Sequence, residues 1–344
     1  MEKVRYAIIG CGGIAHMSHL PEMTQLPQAE FVVACDRREN RARLTAEKFG
    51  AREWSTDYKQ VLTKDDLDAV IVATYHPTHA AIACEVLEAG KHVLVQKPMA
   101  TRLEDANHLV QVAAESSKKT YCLPFLWTPE YEMAMEIISS GDLGKIVQLR
   151  ARTAHDGPEG YYAATQRIFD EQPEKCVFFQ KAISEQGALF DMGVYCISAL
   201  TGLAGSAVKV IGAVKTLDKD AEVDDTASLL LEMESGAIGV AETTWCQAAG
   251  GEEIAIYGTR GTLYLNPWRH SLRQYMKKPK KGWFEPELPP PQQAAAHRHF
   301  VECILKDELP KPCTKHARHV VEIMLTAVRS WKEGKWLPLR TRMP

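Results

Sequence analysis

Over the first 120 residues, short apolar runs rich in β-branched residues alternate with longer segments of helical period. Val4 to Ile9, Phe31 to Cys35, Leu67 to Thr74, His92 to Val95 and Thr120 to Leu123 predict strands. Arg37 to Phe49, Ala80 to Ala89 and Leu103 to Ser116 predict the helices between them, with Gly50 and Gly90 as natural ends. Runs apolar on both faces belong to a parallel sheet covered by helices, hence an α/β fold. The segment after Ile14 starts as a helix, but Pro21 and Pro27 make its far end irregular. Pro129 to Ser140 predicts a helix ending at Gly141. From Ile146 the period changes to alternation, at Ile146 to His155, Val208 to Leu217, Ala227 to Met233, Ala237 to Trp245, Glu253 to Tyr257 and Thr262 to Leu265. Turns such as Ser235-Gly236 join these segments, so a mostly antiparallel sheet of α+β type is expected. The expected domains are residues 1–123 and 124–344. The late helices His297 to Lys306 and Ala317 to Lys332 are expected to pack back on the body of the protein, and residues 280 to 291, rich in Pro and Lys, read as a loop.

The stretch Tyr6-Ala7-Ile8-Ile9-Gly10-Cys11-Gly12-Gly13-Ile14-Ala15 ends the first strand on glycines and opens a helix. In such a turn Gly10 makes the tight bend, Gly12 permits close approach of a pyrophosphate, and Ala15 suits helix–strand packing. Gly13 and Ile14 are assigned to the same cofactor contact. Asp36 ends the second strand about twenty residues on, where a carboxylate can accept hydrogen bonds from ribose hydroxyls. Asp36 repels a 2′-phosphate, whereas Arg37 or Arg38 could receive one; NAD is the expected cofactor and NADP the alternative. A solvated helix start accounts for the two arginines equally well. The loop Thr74-Tyr75-His76-Pro77-Thr78-His79 follows a third parallel strand at the edge where open α/β sheets bind ligands, so Thr74, Tyr75, His76 and His79 are expected beside the cofactor. Another strand ends in Gln96-Lys97-Pro98. A lysine at a buried strand end has its ammonium destabilised by burial and suits proton transfer; pairing with a phosphate or a carboxylate is the blander account.

Composition adds exclusions. The chain has 344 residues, enough for two domains, and a net charge of -3 with balanced signs, which argues against nucleic acid as the main partner. Nine cysteines without a CxxC pair suit reduced thiols, and Cys11 is expected to be a packing residue. The start of the chain leaves no room for a signal peptide, and no apolar run has membrane-spanning length, so a cytoplasmic protein without a membrane partner is expected. The pairs His76/His79, His297/His299 and His316/His319 lack a third ligand at recognisable spacing; no metal is expected, and the last two pairs read as solvated helix faces.

The glycine turn, Asp36, the Thr74 to His79 loop, Lys97-Pro98 and the stretch Gly187-Ala188-Leu189-Phe190-Asp191-Met192-Gly193-Val194-Tyr195 occur in this order. Together they resemble the Gfo/Idh/MocA oxidoreductases, named for glucose–fructose oxidoreductase and inositol dehydrogenase, over essentially the whole chain. The resemblance implies an N-terminal Rossmann domain, a C-terminal α+β domain with a large, mostly antiparallel open sheet, NAD or NADP, and a sugar, sugar derivative or cyclitol as substrate. It implies that Lys97, the lysine of the Glu-Lys-Pro motif, touches both substrate and nicotinamide. The Asp-x-Gly-x-His motif maps onto Asp191 and Tyr195, four apart and so on one helical face. Hydride leaves a carbinol carbon only as its hydroxyl proton is taken up. Lys97 and Tyr195 are therefore expected to share proton transfer and Asp191 to bind a substrate hydroxyl. His155, in the loop Ala154 to Tyr162, is expected to line the sugar pocket, with a structural histidine as the even alternative.

Three departures bear on this. Gln96 replaces the usual Glu, Tyr195 replaces the usual His, and Leu123-Pro124-Phe125-Leu126-Trp127 stands where relatives often carry Asn-Arg, an apolar wall in its place. The resemblance also implies an alternative seen in some relatives, cleavage of glycosides by transient oxidation and elimination on a tightly held NAD; a dinucleotide or sugar sensor without turnover is the other alternative. A dihydrodiol substrate is a further option, raised by Tyr195 and the apolar stretch. Apolar residues at successive positions, including Leu229, Leu230 and Leu231, together with the pairing of relatives, point to a homodimer or homotetramer formed through the C-terminal sheet.

Overall fold

A computed structural model describes residues 3–124, 128–278 and 281–344. The first sheet holds β1 (Val4–Ile9), β2 (Ala29–Cys35), β3 (Glu53–Ser55), β4 (Ala69–Val72), β5 (His92–Val95) and β6 (Thr120–Cys122), all parallel, in the order β3-β2-β1-β4-β5-β6. This doubly wound order reverses between β1 and β4, so Gly10 and Ala73, at the carboxyl ends of these strands, mark the crevice where such sheets take ligands. Beneath the sheet, Tyr6 stacks on Phe31 with centroids 5.0 Å apart.

The second sheet holds β7 (Ile146–Ala154), β8 (Ala207–Lys215), β9 (Thr226–Met233), β10 (Ile238–Thr244), β11 (Gly251–Gly258), β12 (Gly261–Asn266), β13 (Ser271–Met276), β14 (Gly282–Phe284) and β15 (Leu337–Pro338). Its order is β14-β13-β12-β11-β7-β10-β9-β8-β15, antiparallel except for β7 beside β10. Alternation along β9 buries Ala227, Leu229, Leu231 and Met233 and turns Ser228 and Leu230 outward. The expected loop at 280–291 contains β14, because Trp283 stacks on Tyr264 and meets Tyr275 edge-on, contacts that outweigh the poor strand composition around it.

The two units interleave along the chain instead of meeting at residue 123. Met1–Phe125, Pro158–Glu185 and Gln293–Arg318 form one; Leu126–Gly157, Gln186–Gln292 and His319–Pro344 form the other. The physical reason in the first unit is shared core. Phe300 and Val301 of the helix Ala295–Leu305 are buried in one cluster with Tyr6, Ile8, Leu94 and Tyr121. The helix Glu159–Ile168 lays Tyr161 and Thr165 against Gly13 so closely that a Cβ there would collide with both.

The helix after the glycine turn opens with a wide π turn, Ala15–His19, in which the Leu20 N–H reaches the Ala15 carbonyl; an α-turn, Leu20–Met23, follows. Pro21, lacking an N–H, can sit there at little cost. His297, His316 and His319 are not solvated as the sequence pattern implies. All three are buried, and His319 Nε2 accepts the Ala207 N–H at 3.1 Å while its Nδ1 meets Thr341 Oγ1 at 2.9 Å. None of the nine cysteines is in a disulfide. Among the described residues, no single helix is long and apolar enough to cross a membrane.

Candidate active site

In the first unit the three glycines of the turn answer to different constraints. Gly10 has φ +98°, and a Cβ there would strike the Ala73 carbonyl. Gly13 is held free of a Cβ by Tyr161 and Thr165. Gly12 has no such reason among the described residues, where a Cβ would meet only Arg41 Nη1, at 4.0 Å. Space that no atom of the described residues claims, at the residue that should face a pyrophosphate, fits a dinucleotide. The Asp36 carboxylate accepts the Cys11 N–H through Oδ2 and the Arg38 N–H through Oδ1, both at 2.9 Å. Two carboxylate oxygens offer about four acceptor sites, so this anchoring is compatible with ribose hydroxyls. Cys11 is fully buried, and burial, with Asp36 next, pushes its thiol well above the ordinary range; it packs and does not react.

Around Asp36 the cations are already engaged. Arg38 pairs with Glu171 at 2.9 Å and Glu174 at 3.3 Å, and Arg41 forks onto Glu171 at 2.7 and 2.5 Å. The Arg37 guanidinium lies 5.6 Å from the Tyr75 ring centroid, which brings two of the expected cofactor residues together. Thr74 Oγ1 meets Thr78 Oγ1 at 2.7 Å. His76 and His79 instead turn inward. His76 is buried against Phe178, and His79 is clamped between the Pro98 carbonyl at 2.8 Å and the Thr74 carbonyl at 3.0 Å. His79 thereby ties the end of β4 to the Lys97-Pro98 turn, a positioning role.

Lys97 follows β5, and its N–H donates to the Gln96 side-chain oxygen at 2.6 Å. From there a buried chain of hydrogen bonds runs through Gln96 Nε2 to His19 Nε2 (3.1 Å), His19 Nδ1 to His297 Nε2 (2.8 Å), and His297 Nδ1 to Glu22 Oε2 (2.8 Å). Only one order of donors satisfies it. Burial alone would raise the Glu22 carboxyl, but His297 and Ser18 hold it below its ordinary value, so Glu22 accepts and His297 Nδ1 donates. His297 Nε2 then accepts from His19 Nδ1–H, and His19 Nε2 accepts from the Gln96 amide. Burial, then His297 and His79, keep His19 well below its usual pKa and hence neutral. A glutamate at 96 lacks the N–H that this order requires, which is a physical reason for the amide at that position.

In the second unit Asp191 ends the helix Ala188–Asp191 and Tyr195 lies in the first turn of the helix Gly193–Ala204. The expected single helical face is interrupted at Met192, and the Tyr195 N–H bonds the Met192 carbonyl, three residues back. Gly193 packs against Leu189 and Thr243, where a Cβ would come within 2.9 Å of Leu189 Cδ1. The Asp191 carboxylate is buried and accepts the indole N–H of Trp245 at 3.0 Å. His155, just after β7, accepts the Gly157 N–H at Nδ1 (2.9 Å), which puts the ring N–H on Nε2, 3.7 Å from Asp191 Oδ2. Asp224 caps the short helix through the N–H groups of Gly187 (3.2 Å) and Leu189 (2.8 Å), and the Asp225 carbonyl holds the Trp245 N–H at 2.8 Å. Trp245, Asp224, Glu171, His19 and His297 were not identifiable from local sequence patterns, because their partners are remote in the chain; His19 and His297 are 278 residues apart. The apolar wall expected at Phe125 to Trp127 lies outside the described residues.

Comparison with known proteins adds to this geometry. The sequence model described as the oxidoreductase family with an NAD-binding Rossmann fold, Gfo/Idh/MocA, matches residues 4–123, and that of the Gfo/Idh/MocA C-terminal domain matches residues 131–264. The chain is 30% identical over 265 residues to a dTDP-3,4-didehydro-2,6-dideoxy-alpha-D-glucose 3-reductase of Actinomadura kijaniata, covering 76% of this chain and 74% of that one. It is 25% identical over 348 residues to the scyllo-inositol 2-dehydrogenase (NAD(+)) of Bacillus subtilis, covering 96% and 95%. Among solved structures, GenD2 from gentamicin A biosynthesis in complex with NAD matches with a TM-score of 0.83 at 25% identity, over 99% of this chain and 97% of that one.

Proposed function

The chain belongs to the Gfo/Idh/MocA family of oxidoreductases, with an NAD-binding Rossmann domain, and from that premise we propose that it interconverts a hydroxyl and a carbonyl carbon on a sugar, sugar derivative or cyclitol. When bound, the nicotinamide supplies the hydride acceptor or donor. The protein's own part is to hold the hydroxyls and to move the proton. Gly10, Gly12 and Asp36 hold the dinucleotide, with Arg37, Thr74 and Tyr75 beside it. Lys97 and Tyr195 exchange the hydroxyl proton, Asp191 accepts a substrate hydroxyl and His155 donates to one.

The observation that carries this reading is the Asp191–His155 pair. A hydroxyl is at once donor and acceptor, and Asp191 Oδ2 and His155 Nε2, 3.7 Å apart, offer one of each. That separation exceeds a hydrogen bond, so one hydroxyl oxygen can bond both. Trp245 fixes the carboxylate and the Gly157 N–H fixes the imidazole tautomer, so the pair is preorganised. The names of the relatives, a deoxysugar-nucleotide reductase and an inositol dehydrogenase, support the same substrate class.

Incubation with NAD and a panel of aldoses, inositols and nucleotide sugars, followed at 340 nm, tests the reading. Turnover of at least one polyol is expected, reduced by about 10³-fold or more in Lys97→Met, with NADH binding by that variant retained. Absence of turnover across the panel in both directions by a cofactor-binding protein would count against it.

The oligomer belongs to the same proposal. Leu230, Ile238, Tyr264 and Trp283 are exposed on one face of the second sheet, the face opposite Leu229 and Leu231. A second copy of this chain covers that face, giving a homodimer or homotetramer.

A further inference from the structure

Asp36 is followed by Arg37 and Arg38, with Arg41 one turn on, an arrangement that ordinarily leaves the choice between NAD and NADP open. Two of these three arginines are engaged from elsewhere in the chain. Glu171 lies just beyond the helix Glu159–Ile168 and receives both guanidinium groups, Arg41 through a bidentate fork and Arg38 through a single bond, with Glu174 as a further partner of Arg38. Arg41 and Glu171 are largely buried, so their pairing is little screened by solvent. Burial alone would raise the Glu171 carboxyl, yet the bonds from Arg41 and Arg38 hold it below its ordinary value, and it is ionised at neutral pH. Among the groups in these contacts, three arginines are balanced by Asp36, Glu171 and Glu174.

We propose that Glu171 is a specificity-determining residue that selects NAD over NADP by occupying the two arginines that would otherwise receive a 2′-phosphate. The inference rests on the proposed dinucleotide site and deepens it. A 2′-phosphate arriving beside Asp36 adds negative charge to a neutral group of side chains. To gain Arg38 or Arg41 as a partner it must break charge-assisted bonds to Glu171 that are already made, which leaves it only Arg37, stacked on Tyr75. The two ribose hydroxyls of NAD need only the carboxylate of Asp36 and leave every ion pair in place. Glu171 thus acts through Arg38 and Arg41, and the segment that carries it discriminates without touching the adenosine itself.

Glu171→Gln keeps the shape and removes the charge. Titration of the purified protein with NADH and with NADPH, followed by nucleotide fluorescence, is expected to show NADPH affinity rising about tenfold in this variant, with NADH affinity changed less than about threefold. Adding Arg38→Ala to Glu171→Gln should abolish most of that gain. Arg38→Ala alone, in the presence of intact Glu171, should leave the NADPH to NADH ratio unchanged, which tests the idea even if the Glu171 variant folds poorly. Equal weakening of both nucleotides in Glu171→Gln would mean that Glu171 only anchors its segment, and an unchanged ratio would mean that the arginines are irrelevant; either overturns the proposal. Failure of the wild-type chain to bind NADH would instead overturn the dinucleotide site, and this inference with it.

Discussion

Gly12 and Gln96 show how much a single position can decide. Gly12→Ala adds a Cβ that meets almost nothing within the protein, so thermal stability should match wild type while NADH affinity falls at least about tenfold, as read by calorimetric titration. Unchanged affinity would mean that no pyrophosphate lies there. Gln96→Leu leaves the Lys97 N–H and His19 Nε2 without their partners, a loss of about 2–4 kcal/mol by urea unfolding. In the wild type, ¹⁵N shifts should report His19 as the neutral Nδ1–H tautomer at pH 7. The glycines, Asp36 and Lys97 were legible in the sequence because each sits at a strand end with a local signature. The His19–His297 pair and Glu171 were not, since nothing in either neighbourhood names a partner more than a hundred residues away.

At the scale of elements, strands and helices declared themselves where apolar period and punctuation agreed, as at β1, β5 and the helix Glu39–Phe49, closed by Gly50 in the left-handed region. They failed to do so where tertiary contacts decide. β14 forms on aromatic stacking, and the break at Met192 divides a run that reads as one continuous helix. The first of the two helices is capped by Asp224. Gly187 sits so close to Asp224 that a Cβ would be 2.7 Å from the Asp224 nitrogen and would collide with its carbonyl oxygen. Gly187→Ala should therefore displace the helix that carries Asp191, costing roughly 2–4 kcal/mol in chemical denaturation and raising KM for the polyol more than it affects NADH binding. A variant as stable as wild type would show that this cap does not hold the helix.

For the whole molecule, the buried ionisable groups oppose one another across the acid range. In the first unit, burial draws His16 down to about 4, with Lys48 and Arg41 adding to it; burial likewise draws His92 to about 4 and holds His19 well below its ordinary value. Below the ordinary histidine value near 6.5 the unfolded chain takes up protons that the folded one refuses, so stability is lost as pH falls from 6.5 towards 4, by on the order of 3 kcal/mol from His16 alone. In the second unit, burial lifts Glu252 to about 7, against a hydrogen bond from Trp268 and with Glu130 nearby. The folded state there holds a proton that the unfolded state releases above about 4.5, and stability is lost as pH rises from 4.5 to 7. Opening free energies of the first unit, read by hydrogen exchange, should thus fall from pH 7 to pH 5, and Glu252→Gln should stabilise the second at pH 8 while leaving the first unchanged. A first unit no less protected at pH 5 than at pH 7 would contradict this assignment.

The central claim is direct transfer of hydrogen between nicotinamide and a carbinol carbon, and isotope transfer tests it most directly. NADH deuterated at C4 on either face is supplied with the keto form of whichever panel sugar turns over, and the product is weighed by mass spectrometry. The account predicts one deuterium, bound to carbon and stable to exchange, from one of the two labelled cofactors. A product without label from either, or a label that returns to the cofactor while a glycosidic bond is cleaved, would contradict it.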